Sequence, residues 1–169
     1  EIHAKQVITT IAAPHLAALL PFVPKSVMAP ISNLEYAKVV QVVLGYKNWT
    51  GRKLNAFGGL IPKLENRKVL GILFPSAIFS NRAPKQGALL SVFMGGMRHP
   101  ELIDMNDEGL LKMAKETVGT TLNEHSQADL QKVFKYHHAI PQYTISTPEK
   151  LDAIAKIEQQ HKGLLLAGN

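Results

Sequence analysis

The chain has 169 residues, 46% of them apolar and 7% aromatic, which is one domain's worth of sequence and enough apolar side chain for a real core. The absence of cysteine excludes disulfides, thiolate metal sites and thiol nucleophiles together, and no apolar run approaches the roughly 20 residues that a membrane span needs. The net charge of +6, from 19 Lys and Arg against 13 Asp and Glu, is scattered rather than interleaved with aromatics, so it reads as solvated surface and not as a nucleic-acid interface.

A mildly basic surface still suits an anionic small molecule or an acidic membrane surface. The sequence carries no signal peptide and opens on Glu1 instead of methionine, which points to an excised piece of a longer protein.

In chain order, KQVITTI (5–11) is β-branched and predicts a strand. Pro14 starts a short helix that Pro21 ends, with Leu16, Leu19 and Leu20 on one side. Pro21, Pro24 and Pro30 predict a connector. A long strand follows over residues 37–46, a turn at Asn48–Gly51, and a hairpin partner over Lys53–Pro62. RKVLGILF and ALLSVFMGG read as two more strands, separated by the loop PSAIFSNRAPKQG. Four strands with short links argue for a largely antiparallel sheet.

Beyond this the period changes. Asn106 can cap a helix reaching about Leu122, with Leu111, Ala114, Val118 and Leu122 at helical spacing. LQKVFKYHHAIPQY returns to strand alternation through Val133, Lys135, His137 and Ala139. Thr147, Pro148 and Glu149 open another helix, whose buried face is predicted to be Leu151, Ile154 and Ile157 and which Gly163 ends. The final GLLLAGN is a short apolar strand running into a Gly-Asn turn. The class is α+β: a mixed, largely antiparallel sheet with packed helices. The first and last strands look apolar enough to be buried on both faces, the habit of parallel sheets, so they read as borrowed from a second domain.

Tried class by class, the chemistry is sparse. Of seven histidines only His137 and His138 are adjacent, and neighbours on a strand point to opposite faces, so no metal site is expected. No GxSxG elbow activates a serine; Ser91 lies inside a strand. Neither GxGxxG nor a P-loop is present, and the glycines of FGG and FMGG suit close packing or a bulge. What remains is a set of apolar residues at strand ends and loops: Phe57, Leu60, Phe74, Phe79, Phe93 and Met94. Most such residues are core. Phe79, in the loop beside SNRAP, would be costly to expose unless a ligand or second domain covers it. The residues thus point to a hydrophobic binding surface without catalytic machinery of its own.

The stretch AFGGLIPKLENRKVLGILFPSAIFSNRAPKQGALLSVFMGG, followed by AIPQY and the closing LLLAGN, resembles the protoporphyrinogen oxidases of the amine-oxidase-like flavoproteins. The likeness runs from about Val7 to Asn169. It implies a substrate-binding domain at 15–161 and, at 1–14 and 162–169, strands of an FAD-binding domain whose GxGxxG lies elsewhere. It implies oxidation of protoporphyrinogen IX to protoporphyrin IX, with FAD as the cofactor and no activity in the isolated piece. Leu60 and Phe79 would sandwich the tetrapyrrole, Phe57, Gly58, Phe93 and Met94 would line the same site, and Asn169 would reach the flavin. No catalytic residue is implied within the chain.

The implied partners are the tetrapyrrole and the missing FAD-binding domain. The implied setting is the cytoplasm, with room for peripheral attachment to the inner membrane and for a homodimer. Two departures bear on the substrate: Tyr136 and TIST stand where the family often has tryptophan and Gly-His, and FGG carries a glycine where a larger residue is common. A coproporphyrinogen III oxidase, an amine oxidase or a non-enzymatic carrier of apolar ligands are the alternative readings.

Overall fold

The computed structural model describes residues 3–168. In chain order its elements are β1 (Val7–Thr9), α1 (Ala13–Leu19), α2 (Lys25–Ser32), β2 (Tyr36–Tyr46), β3 (Gly58–Leu60), β4 (Val69–Leu73), α3 (Pro75–Ile78), β5 (Ala88–Gly95), α4 (Asp107–Leu122), β6 (Leu130–Pro141), α5 (Thr147–Gln160) and β7 (Leu164–Leu166). Short 3-10 turns lie at Lys63–Glu65 and Pro100–Asp104. The chain forms two compact units: Ala37–Ala139, and the two ends Glu1–Tyr36 with Ile140–Asn169.

The α+β class is borne out. In the middle unit the strand order is β3-β4-β5-β2-β6. The pairs β3/β4, β4/β5 and β2/β5 are antiparallel. Leu130 packs beside Gly45 while Tyr136 bonds to Gln41, so β6 also runs opposite to β2. The expected hairpin between the long strand and residues 53–62 does not form. Only Gly58–Leu60 is strand, and it pairs with β4 at the far edge. The long apolar β2 instead lies between β5 and β6, where both its edges are paired.

Strand alternation divides the sheet cleanly. Val40, Val42 and Leu44 of β2, Leu90, Val92 and Met94 of β5 and Ile72 of β4 all turn to one buried face. There they share a core with Leu110, Ala114 and Val118 of α4. That helix starts as expected: the Asn106 side chain accepts the Gly109 N–H at 2.9 Å, and Asp107 and Glu108 complement the helix dipole in the first turn. Ala114 and Val118 are buried as expected, whereas Leu110 is fully buried and Leu111 only half-buried.

The terminal unit corrects the predicted connector. Residues 25–32 are helix α2, with Pro30 inside it. In so short a helix Pro30 forfeits a single backbone bond, and burial of Met28 and Ile31 on either side outweighs it. Leu16 and Leu20 of the α1 segment, Met28 and Ile31, and Ile157 of α5 form the core of this unit. Leu19 and Leu151, expected on buried faces, are exposed, and Ala153 replaces Leu151 on the inner face of α5.

The two end strands, far apart in sequence, pair with each other in parallel: Val7 with Leu164, Ile8 with Leu165 and Thr9 with Leu166. Gly163, at φ +91, makes the approach feasible, since a side chain there would run into the Lys5 carbonyl. The expectation that both strands are buried on both faces fails for Val7 and Ile8, which are 53% and 61% exposed. Such burial needs helices on both faces and strands on both edges, and β1 and β7 have only each other in their sheet among the described residues.

Candidate functional site

Opposite the core it shares with α4, the five-stranded sheet presents a second face. The pairing registers lay out its middle row: Leu60 on β3 opposes Gly71 on β4, Gly71 opposes Phe93 on β5, and Phe93 opposes Gln41 on β2. Residues directly opposed across a sheet share a face. The next row is Gly58, Leu73, Ser91 and Val43. A bulge between Val69 and Gly71 sets this register on β4.

Glycine at 71 shapes the row. It leaves β4 without a side chain between Leu60 and Phe93, and a Cβ there would press on Leu60 Cδ2, which packs against it, and on the Gly59 carbonyl. Gly58 adopts φ +152, and a Cβ there would collide with the Ile72 carbonyl. The result is an apolar trough rimmed by an aliphatic and an aromatic side chain, a shape that suits a flat apolar ligand.

The predicted residues fall into three groups. Phe57, just before β3, and Leu60, on it, are 67% and 84% exposed, and the Phe57 carbonyl accepts the Phe74 N–H at 3.0 Å. Phe79, 55% exposed, closes α3, with the Arg82 guanidinium 5.6 Å from its ring centroid. The segment is held to the sheet by Ser76, whose Oγ accepts the Leu89 N–H at 2.9 Å beyond the end of β4. Phe93 is half-buried in the trough. Met94 stands apart: strand alternation turns it to the other face, where it has no exposure at all and belongs to the core. Its expected place on the ligand surface is therefore corrected. Asn169, expected to reach a flavin, lies outside the described residues.

Sequence reasoning missed the polar centre of this face. Tyr136 donates its hydroxyl to Gln41 Oε1 at 3.3 Å, and Gln41 Nε2 donates to Ser91 Oγ at 3.1 Å. The available signal was a lone glutamine inside VVQVV, since a polar side chain in an apolar strand calls for a partner. Apart from the sheet, Glu124 is buried and its carboxylate accepts backbone N–H groups from Thr50, Gly51 and Ser126 at 2.8–2.9 Å. Burial pushes its pKa up, but the bonds from Ser126 and Thr50 outweigh this and hold it at about 2. Burial, helped by Glu124, pushes the Tyr46 phenol up to about 12. Glu124 is structural: it ties the loop after β2 to the segment that follows α4.

The terminal unit holds a cavity of about 160 Å³ at the carboxyl ends of the two parallel strands, bordered by Thr9, Ile11, Leu166 and Gly168 with Tyr143 and Lys150 opposite. At Gly168 a Cβ would overlap the Ile11 carbonyl. Among the described residues no cluster of three or more His, Cys, Asp or Glu could hold a metal ion, and no helix is long and apolar enough to cross a membrane.

Residues 1–169 match the model of one family, the flavin containing amine oxidoreductases. The chain belongs to that family. A mitochondrial protoporphyrinogen oxidase of Nicotiana tabacum is 30% identical over 143 residues, covering 82% of this chain and 28% of that protein. A solved structure of a candidate protoporphyrinogen oxidase from an Exiguobacterium species superposes with a TM-score of 0.73 at 16% identity, over 98% of this chain and 36% of that one. Reduced UDP-galactopyranose mutase superposes equally well, 0.73 at 13% identity over 97% and 35%. The two structural matches bear out the fold, and the family match bears out the resemblance read from the motifs. The chain spans about a third of the length of the relatives it matches, from 28% to 36%.

Proposed function

We propose that this chain is the substrate-binding part of an FAD-dependent protoporphyrinogen oxidase, with residues 15–161 as the substrate domain and 1–14 and 162–169 as strands of the flavin domain. The observation that carries the reading is the trough on the open sheet face, where Leu60 and Phe93 flank a glycine floor. A cyclic tetrapyrrole has a broad apolar body, and burying it against exposed Leu60, Phe57 and Phe79 would remove three large apolar side chains from water.

The residues present fit a flavin at the other unit. Ligands of parallel α/β sheets bind beyond the carboxyl ends of the strands. Here β1 and β7 end together, with Gly168 allowing the backbone to pass closely and an apolar cavity beside it. Gly168, Ile11 and Asn169 would contact the cofactor, which when bound supplies the hydride acceptor. The residues of this chain bind and orient; none is a candidate acid or base. The partners proposed are the tetrapyrrole and the remainder of the flavin domain, in a cytoplasmic protein attached peripherally to the membrane.

The test is to express the complete reading frame and supply protoporphyrinogen IX. The expected outcome is a yellow protein that generates porphyrin fluorescence. In the same protein Phe79→Ala should raise the KM for porphyrinogen several-fold with a stability loss under about 1 kcal/mol, because the ring is exposed. Consumption of amines or of coproporphyrinogen III alone would replace this reading with a sister oxidase.

A further inference from the structure

Resting on the reading above, we propose that Tyr136, held in place by Gln41, is the hydrogen-bond acceptor that orients the ligand on the open sheet face. We infer further that it selects a reduced tetrapyrrole, with accessible pyrrole N–H groups, over the flat oxidised macrocycle.

The argument begins with the direction of the hydrogen bonds. Ser91 is buried at 6% exposure and accepts from Gln41 Nε2 at 3.1 Å, and the other end of the amide, Gln41 Oε1, faces Tyr136 on β6. Tyr136 then donates its only proton inward, to that oxygen. A phenol whose proton is committed can only accept from a newcomer. Tyr136 is 44% exposed, so its side chain is open to a ligand on this face. Of its neighbours in the rows, Leu60, Gly71, Phe93, Leu73 and Val43 carry no side-chain acceptor, while the Gln41 and Ser91 oxygens already accept within the line and Ser91 is buried.

The ligand chemistry follows. In a porphyrinogen the bridging carbons are sp3, so the pyrroles tilt out of the mean plane and their N–H groups can reach a partner on the protein. In the conjugated porphyrin the ring is flat and the remaining N–H groups point into its centre. Stacking on Phe93 and Leu60 favours both forms, whereas the Tyr136 oxygen favours only the reduced one. The row thus combines a non-selective apolar seat with one selective acceptor, retaining substrate and releasing product.

The experiment uses the complete protein under argon with dithionite, which keeps both flavin and porphyrinogen reduced. Binding of protoporphyrin IX is read from its own fluorescence, and protoporphyrinogen IX is titrated as the displacing ligand. Tyr136→Phe should weaken displacement by protoporphyrinogen roughly five- to tenfold, the loss of one hydrogen bond. Affinity for protoporphyrin should change by less than about twofold, since the ring remains. Gln41→Leu, which removes the anchor, should give the same selective loss with an unchanged melting temperature in Tyr136→Phe as the control for folding. Equal weakening of both ligands, or of neither, overturns the proposal while leaving the proposed function standing. A parent protein that binds neither tetrapyrrole overturns that function, and this inference with it.

Discussion

Glu124 keeps its charge at 2% exposure because the chain around it is turned to donate: the N–H groups of Thr50, Gly51 and Ser126 all end on its two oxygens. The sign of its pH effect follows from linkage. The folded pKa, about 2, lies below the usual glutamate value near 4.5, so the folded state holds this group's proton less tightly than the unfolded chain does. Its contribution is complete above about pH 5 and disappears as pH falls towards 2, with a total of about 3 kcal/mol. Glu124→Gln should therefore lower the melting temperature at pH 7, and the gap to the parent should close as both are acidified. A gap that stays constant down to pH 2 would mean that the charge is not what stabilises the loop. The sequence offered no sign of this clamp. Glu124 is one of thirteen acidic residues, and only the fold places the turn at 48–51 against it.

Among the elements, α4 is the one whose ends and face follow most directly from local chemistry. Asn106, three residues before Gly109, supplies the side-chain acceptor that a helix start lacks. Asn106→Ala should cost about 1 kcal/mol of stability in denaturant titration, with little change in ligand binding, since α4 packs on the core face of the sheet and not on the trough. A loss above about 3 kcal/mol would show that Asn106 supports more than the cap. The opposite case is α2, where three prolines read as a connector and the structure has a helix. A proline weighs heavily in a local argument, but one missing backbone bond is small against the burial of Met28 and Ile31. Strand β3 shows a third outcome. Its span was expected to be ten residues and is three, because β2 finds better partners in β5 and β6.

At the scale of the whole chain, the two units make different demands on what surrounds them. The middle unit closes its own core, while Leu60 on its open face and Phe57 and Phe79 nearby in the chain remain in water. The end strands satisfy one edge each, and Val7 and Ile8 remain exposed. A surface of this kind should hold a porphyrin poorly by itself. Titrating the isolated chain with protoporphyrin IX should give weak binding that does not saturate at micromolar concentration, because the trough buries only one side of the ring. Tight, saturable binding would instead favour a carrier of apolar ligands that needs no flavin domain.

What could be read without coordinates was whatever depends on near neighbours in the chain: the cap of α4, the presence of α4 and α5, the strand character of β2, β4, β5 and β6, and the ordered motifs that mark the flavoprotein family. Partner choice was beyond that reach. That Leu60, Gly71, Phe93 and Gln41 form a row, that Met94 faces away from it, and that Tyr136 closes a hydrogen-bonded line to Ser91 are consequences of register between strands up to 95 positions apart. Register is settled by the total burial of a face, and one residue's shift would exchange trough for core. Local pattern names the strands; only their packing decides which side chains meet.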